Sequence, residues 1–140
     1  MNDHLSQLAA SEGLELRRPS FRTNSHLAMA AALFARDEGA PEPFRTNVYK
    51  AYWQQGRNIG LRDVVLEIAA ESGLDRERLG VVLDDARYEP ELAAVYDECH
   101  RHGITGVPSH IIGRYLVVGA QPYEALEGAY RQALSEEASE

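Results

Sequence analysis

Cysteine is almost absent: Cys99 is the only one in 140 residues. That excludes an intramolecular disulfide and any Cys-x-x-Cys redox pair within these residues, and a lone thiol suits a reducing compartment, so a cytoplasmic protein is expected. Positive charge is scarce as well. With 14 Lys and Arg against 22 Asp and Glu the net charge is −8, which repels phosphate backbones and anionic lipid and argues against nucleic-acid binding. No apolar run approaches the ~18 residues needed to cross a bilayer, and Met1-Asn2-Asp3-His4-Leu5 has no basic region leading into an apolar one, so no membrane partner is expected. No Ser/His/Asp arrangement, phosphate-cradling glycine-rich loop or helical His-Glu-x-x-His is present. The hydrophobic fraction, 44%, supports one modest core and hence a single domain over residues 1–140.

Most of what is there reads as helix. Leu5, Leu8 and Ala9 fall at helical spacing and stop at Gly13, and Leu14 and Leu16 then alternate with Glu15 and Arg17 as a short strand or extended link that Pro19 ends. The polar Arg22-Thr23-Asn24-Ser25 cluster offers Asn24 or Ser25 as N-cap to a helix carrying Leu27, Ala30, Ala31 and Phe34, which stops near Gly39. Pro41 and Pro43 bracket a turn, and Phe44, Val48, Ala51 and Tyr52 give a further helix to Gly56, its apolar stripe widened by Tyr49 and Trp53. Leu61, Val64, Val65, Ile68 and Ala69 form the next helix, ending at Gly73. Asp75 opens another with Leu79, Val82 and Leu83, and Pro90 stands at the start of one whose face holds Leu92, Val95, Tyr96 and Cys99. At Gly103 the pattern changes. Residues 109–112 and 115–118 are β-prone runs joined by Gly113-Arg114, a two-residue link of the type II′ kind. Gln121-Pro122 then starts a last helix with Tyr123, Leu126, Ala129, Tyr130 and Ala133 on its apolar side, before the acidic tail 136–140 frays. The fold class is α/β, predominantly helical, with a helical subdomain over about 20–102 and a ββα unit over 103–134.

Gly106-Val107-Pro108 at the start of the hairpin, followed by Gly119-Ala120-Gln121-Pro122 and a helix, resembles the C-terminal ββα unit of DsbA-like thioredoxin-fold proteins. The likeness extends to the FrnE branch, which includes relatives of 2-hydroxychromene-2-carboxylate isomerase, through Asn24-Ser25-His26-Leu27-Ala28, Ala51-Tyr52-Trp53-Gln54-Gln55-Gly56-Arg57-Asn58-Ile59 and Gly73-Leu74-Asp75. It covers residues 5–134. The resemblance implies a partial thioredoxin-like fold, a helical insertion subdomain plus the C-terminal hairpin and helix. The family's leading strand, Cys-x-x-Cys helix and second central strand have no counterpart here, which fits a truncated relative, a misassigned start or a half supplied by a partner.

The resemblance also implies that Val107 pairs through its backbone with an extended thiol substrate or glutathione, and that Pro108 is the cis-proline of the family. Read alone, the same residues also suit a plain turn entering a strand. The family activity is thiol–disulfide oxidoreductase. With no catalytic cysteine pair, this chain is expected not to catalyse it unaided. Two alternatives remain: a glutathione-dependent isomerase-like protein, glutathione then being the one cofactor, and a non-enzymatic self-associating interaction module.

The other candidates read as structural. Cys99 lies near a helix C-terminus in an apolar stripe, which suits a buried structural cysteine better than a reactive one. Cys99, His100, His102 and His110 are the only soft-ligand cluster and fall short of a closed four-ligand site, so no metal is expected; His102 suits a dipole-complementing role. Asn24 reads as a cap rather than a cleft residue, and Tyr49, Tyr52 and Trp53 as core rather than cleft lining. Arg17, Arg18 and Arg22 form a small basic cluster, expected to be ion-paired on an acidic surface. Without central strands beside it, the run 109–112 is an open edge bearing Ile111 and Ile112. It is expected to pair with another chain as a homo-oligomer contact, and the remaining partner is a protein or thiol substrate.

Overall fold

The structure, a computed structural model, describes residues 2–17 and 19–138, with backbone alone at 2–5 and 8. Among the described residues seven helices and two strands run in the order α1 (Asn2–Ser11), α2 (His26–Asp37), α3 (Pro41–Trp53), α4 (Arg62–Glu71), α5 (Arg76–Asp84), α6 (Glu89–Arg101), β1 (Ser109–Ile112), β2 (Tyr115–Val118) and α7 (Tyr123–Glu137). The chain is thus mostly helical with one small sheet. It divides into two units, Met1–Leu92 and Ala93–Glu140, the division falling inside α6. Among the described residues no helix is long and apolar enough to cross a membrane.

In the first unit α2 touches α3, α4 and α5. Its buried residues are Ala28, Ala30, Ala31, Phe34 and Ala35; the small side chains let neighbouring axes approach closely, and Phe34 fills what they leave. Phe44, Val65, Ile68 and Leu79 are the largest fully buried side chains around it, each contributing roughly 1.5–3 kcal/mol relative to exposure. The helix ends follow from local chemistry. Ser25 occupies the N-cap position of α2 without a side-chain cap bond, while Asn24 Oδ1 accepts from the His26 N–H at 3.0 Å. Asp75 caps α5 by accepting from the Arg78 N–H at 2.9 Å. At the end of α4, Gly73 takes φ +80°, and the Gly73 and Leu74 N–H groups donate to Ala70 and Ala69, each at 3.0 Å; this double closure needs the left-handed residue that glycine supplies.

Pro41 and Pro43 do not bracket a turn: α3 begins at Pro41 and both lie in its first turn, where a backbone N–H has no intrahelical acceptor and its loss is tolerated. Residues 14–17 form an extended link rather than a strand, held where the Arg17 N–H donates to the Trp53 carbonyl at 2.6 Å. Leu61 is the exposed N-cap of α4 instead of part of its buried face.

The start of α6 is tied to α2 by polar contacts within the same unit. Tyr88 donates its hydroxyl to Asp37 at 2.7 Å, Arg36 donates to Glu91 at 2.6 Å, and His26 Nε2 lies 2.7 Å from Glu89 Oε1. Burial, and then the Asp37 carboxylate, push the Tyr88 hydroxyl up to about 12. The Tyr88 hydrogen bond and then that of Arg36 hold Asp37 below the usual carboxylate range.

In the second unit β1 and β2 pair antiparallel, Ser109 with Val118, His110 with Val117, Ile111 with Leu116 and Ile112 with Tyr115. Gly113 takes φ +57° while Arg114 does not enter the left-handed region, as a type II′ turn requires. Alternation puts Ile112, Tyr115 and Val117 on one face, half-buried, and Ile111, Leu116 and Val118 on the other, exposed. Helix α7 touches both strands. Its last turn does not fray at Glu136, which accepts from the Tyr115 hydroxyl and, at 3.1 Å, from Arg114; Ser139 and Glu140 lie outside the described residues. On the expected apolar side of α7, Ala133 is buried but Tyr123 and Tyr130 are exposed, since a sheet two strands wide covers only a narrow helical stripe.

One backbone position is costly. Ala86, between α5 and α6, takes φ +51°, a region that disfavours a side chain. Ala86→Gly is expected to raise unfolding stability by about 1 kcal/mol and Ala86→Val to lower it by a similar amount, measured by urea denaturation.

Candidate functional site

The entrance to the hairpin is built from a sharp change of element. Helix α6 closes with the Ile104 N–H donating to the Cys99 carbonyl at 2.9 Å, and the chain then runs through 105–108 into β1. The Val107–Pro108 peptide bond is cis. Pro108 is fixed from the strand side: its carbonyl accepts from the Gly119 N–H at 2.8 Å, just beyond β2. Ser109 braces the turn by donating its hydroxyl to the Gly106 carbonyl at 2.6 Å, and Gln121 Nε2 donates to the Val118 carbonyl at 2.9 Å.

Between these braces Val107 stands 92% exposed. Its own N–H and C=O have no partner among the described residues. In an antiparallel ladder the backbone groups of alternate residues face the partner strand. Because Pro108 bonds to Gly119, the residues bonded to β2 are His110 and Ile112, and Ser109 and Ile111 turn their backbone groups to the open edge. The hairpin therefore offers an exposed apolar residue with a free peptide group, continued by a free strand edge. Such a surface accepts an extended chain by adding a strand.

Val107 and Pro108, the expected substrate-binding pair, thus stand together at this entrance. The supporting bonds from Gly119, Ser109 and Gln121 had no sequence signal beyond the glycine itself. Cys99 belongs to the same unit but is half-buried rather than buried, because Val95 and Tyr96 on its face are themselves exposed. His102 is engaged by Glu98, its Nε2 lying 2.8 Å from Oε1, and His100 and His110 are exposed. Among the described residues no group of three or more His, Cys, Asp or Glu could hold a metal ion.

The remaining candidates belong to the first unit. Asn24 is occupied as a cap, its Oδ1 taken by the His26 N–H. Tyr49 is not core but 60% exposed: Phe44, Val48, Ala51 and Tyr52 make the inward face of α3, and Tyr49 lies about 100° around from Val48. Tyr52 packs at the margin of the core and meets Trp53 edge to face, ring centroids 4.8 Å apart. Of the basic cluster, Arg17 pairs with Glu15 at 3.5 Å, Arg22 is exposed without an ion pair among the described residues, and Arg18 lies outside them.

Comparison with known proteins points in one direction. The DSBA-like thioredoxin domain matches residues 1–131. The Bacillus subtilis (strain 168) protein YwbO is 28% identical over 131 residues, which are 89% of this chain and 64% of YwbO. The crystal structure of a probable DsbA oxidoreductase from Streptomyces coelicolor matches with a TM-score of 0.81 at 33% identity, covering 96% of this chain and 59% of that one. The chain therefore spans less than two thirds of the length of either relative.

The hairpin turn leaves no room for a side chain at Gly113. A Cβ at Gly113 would stand 2.8 Å from the Cβ of Ala133, at a φ of +57°. Gly113→Ala is expected to cost about 1–3 kcal/mol, read as faster amide hydrogen exchange at Tyr115 and Val117.

Proposed function

The chain belongs to the DSBA-like thioredoxin domain family, and on that premise we propose that it binds a thiol- or disulfide-bearing protein in extended form against Val107 and Pro108. The family activity is thiol–disulfide oxidoreduction, and in this reading the chain holds the partner without turning it over unaided. The observation that carries it is the exposed, unpaired backbone of Val107 beside the Gly119-to-Pro108 bond. Exchange also needs an attacking thiolate and a resolving thiol, and Cys99 is the only cysteine. Its place in the last turn of α6 is the opposite of the helix N-terminus that activates a catalytic thiol.

The finer assignment to the FrnE branch rests on the segments at 24–28, 51–59 and 73–75, and makes this chain the counterpart of the region C-terminal to the redox helix in such proteins. The Cys-x-x-Cys segment then comes from sequence outside these residues or from a partner. A lone thiol suits a cytoplasmic setting. In an insulin-reduction assay the purified chain is expected to give the rate of the protein-free control, with Cys99→Ser unchanged. Turnover by the chain that Cys99→Ser abolishes would sink the proposal.

A second reading is favoured by the open edge of β1, where Ser109 and Ile111 present unpaired backbone groups and Ile111 is half exposed: two copies of the chain pair through this edge. Light scattering coupled to size exclusion is expected to give a mass above the monomer at micromolar concentration, returning to the monomer for Ile111→Pro, which removes an edge N–H. A wild-type chain that is monomeric throughout that range rules the pairing out.

A further inference from the structure

We propose that the first unit carries a second binding site, a groove for an acidic, extended peptide, formed by Phe21, Arg22, Thr23, Tyr52 and Trp53. It stands independently of the Val107 reading. The groove measures about 440 Å3 and is lined by the segment 19–23 and the end of α3. Hydrogen bonds hold these walls. The Arg17 N–H donates to the Trp53 carbonyl at 2.6 Å, and the Thr23 hydroxyl donates to Asn58 Oδ1 at 2.6 Å. That same oxygen accepts from the Gly60 N–H at 3.0 Å. Gly60 lies so close that a Cβ there would stand 2.8 Å from the Asn24 carbonyl and 2.9 Å from Thr23 Oγ1.

The chemistry of the lining is one-sided. The Arg22 guanidinium, the Ser20 and Tyr52 hydroxyls and the Trp53 indole N–H all belong to residues of the groove, and none has a hydrogen-bond partner among the described residues. Among the described residues no carboxylate lines it. Elsewhere in the same unit Arg36 pairs with Glu91, Arg57 with Glu67 and Glu71, Arg62 with Asp84 and Arg78 with Glu38, while Arg76 and Arg87, like Arg22, have no ion pair among the described residues. Four donors without acceptors, one of them a guanidinium, complement a carboxylate. The edge-to-face pair of Tyr52 and Trp53 adds an apolar shelf suited to a proline ring or another flat side chain.

The shape selects among anionic occupants. Phe21, Thr23, Tyr52 and Trp53 are half-buried and Arg22 is exposed. A small molecule held tightly is mostly enclosed, whereas an extended peptide in an aromatic groove keeps one side in water. The occupant is therefore a peptide in which glutamate or aspartate neighbours a proline or aromatic residue.

Trp53 is the chain's single tryptophan, so its emission reports on this groove alone. The probe is a blocked pentapeptide alternating glutamate with proline and phenylalanine, and the control is the same peptide with glutamine for glutamate. Titration with the glutamate peptide is expected to change Trp53 fluorescence saturably, with affinity falling at least about tenfold for the glutamine peptide and for Arg22→Gln. Arg76→Gln, which removes an unpaired arginine elsewhere on the unit, is expected to leave it unchanged. The proposal is overturned by the absence of a saturable change up to about 1 mM, by equal binding of the glutamine peptide, or by Arg22→Gln retaining wild-type affinity. Benzoate or inorganic phosphate binding as tightly as the peptide would equally overturn it, by assigning the groove to a small anion.

Discussion

Four alanines on one helix set the distances in the first unit. Ala28, Ala30, Ala31 and Ala35 leave α2 so slim that three other helices reach it at once, and Phe34 and Phe44 then occupy volume that larger side chains on α2 would have claimed. Everything nearby inherits that spacing: the buried row of α4, the inward side of α5, and the tyrosine that closes the far end against Asp37. A core of this kind is sensitive to added volume, since a single extra methylene on α2 would have to push a whole helix outward.

The second unit is organised differently, by backbone pairing rather than by packing. Its buried apolar content is small, Ala133 being the one buried residue of α7. The hairpin, its type II′ turn, the Gly119-to-Pro108 bond and the contacts at Glu136 fix its geometry instead. Val107, Ser109 and Ile111 are the residues of this unit whose peptide groups face away from the hairpin ladder.

Local chemistry made much of this legible in the sequence. The strands 109–112 and 115–118 and their Gly113-Arg114 link follow from β-branched runs around a two-residue turn, and Asp75 and Gly73 mark helix ends through side-chain and backbone capping that involve only their neighbours. Tertiary context decided the rest. Pro41 and Pro43 read as bracketing a turn, yet both lie in the first turn of α3, which tolerates proline. Helical spacing assigned Tyr49, Tyr123 and Tyr130 to apolar stripes, but spacing does not say how wide a stripe the neighbours cover. Val107 and Pro108 carried a family likeness, while the bonds that steady them come from residues 109 and 119. The groove at Arg22 was hidden because its two walls are some thirty positions apart and neither carries a motif.

The unmatched guanidinium of Arg22 sits on a molecule whose overall charge is −8, and the two act over different ranges. The net field reaches outward by about a Debye length, ~8 Å at physiological ionic strength, whereas the pull of one arginine is felt in full only at contact. An acidic ligand approaching from solution would first be repelled and then captured. Added salt would thus speed its arrival while shortening its stay, so that ionic strength governs how quickly the complex exchanges more than how much of it forms.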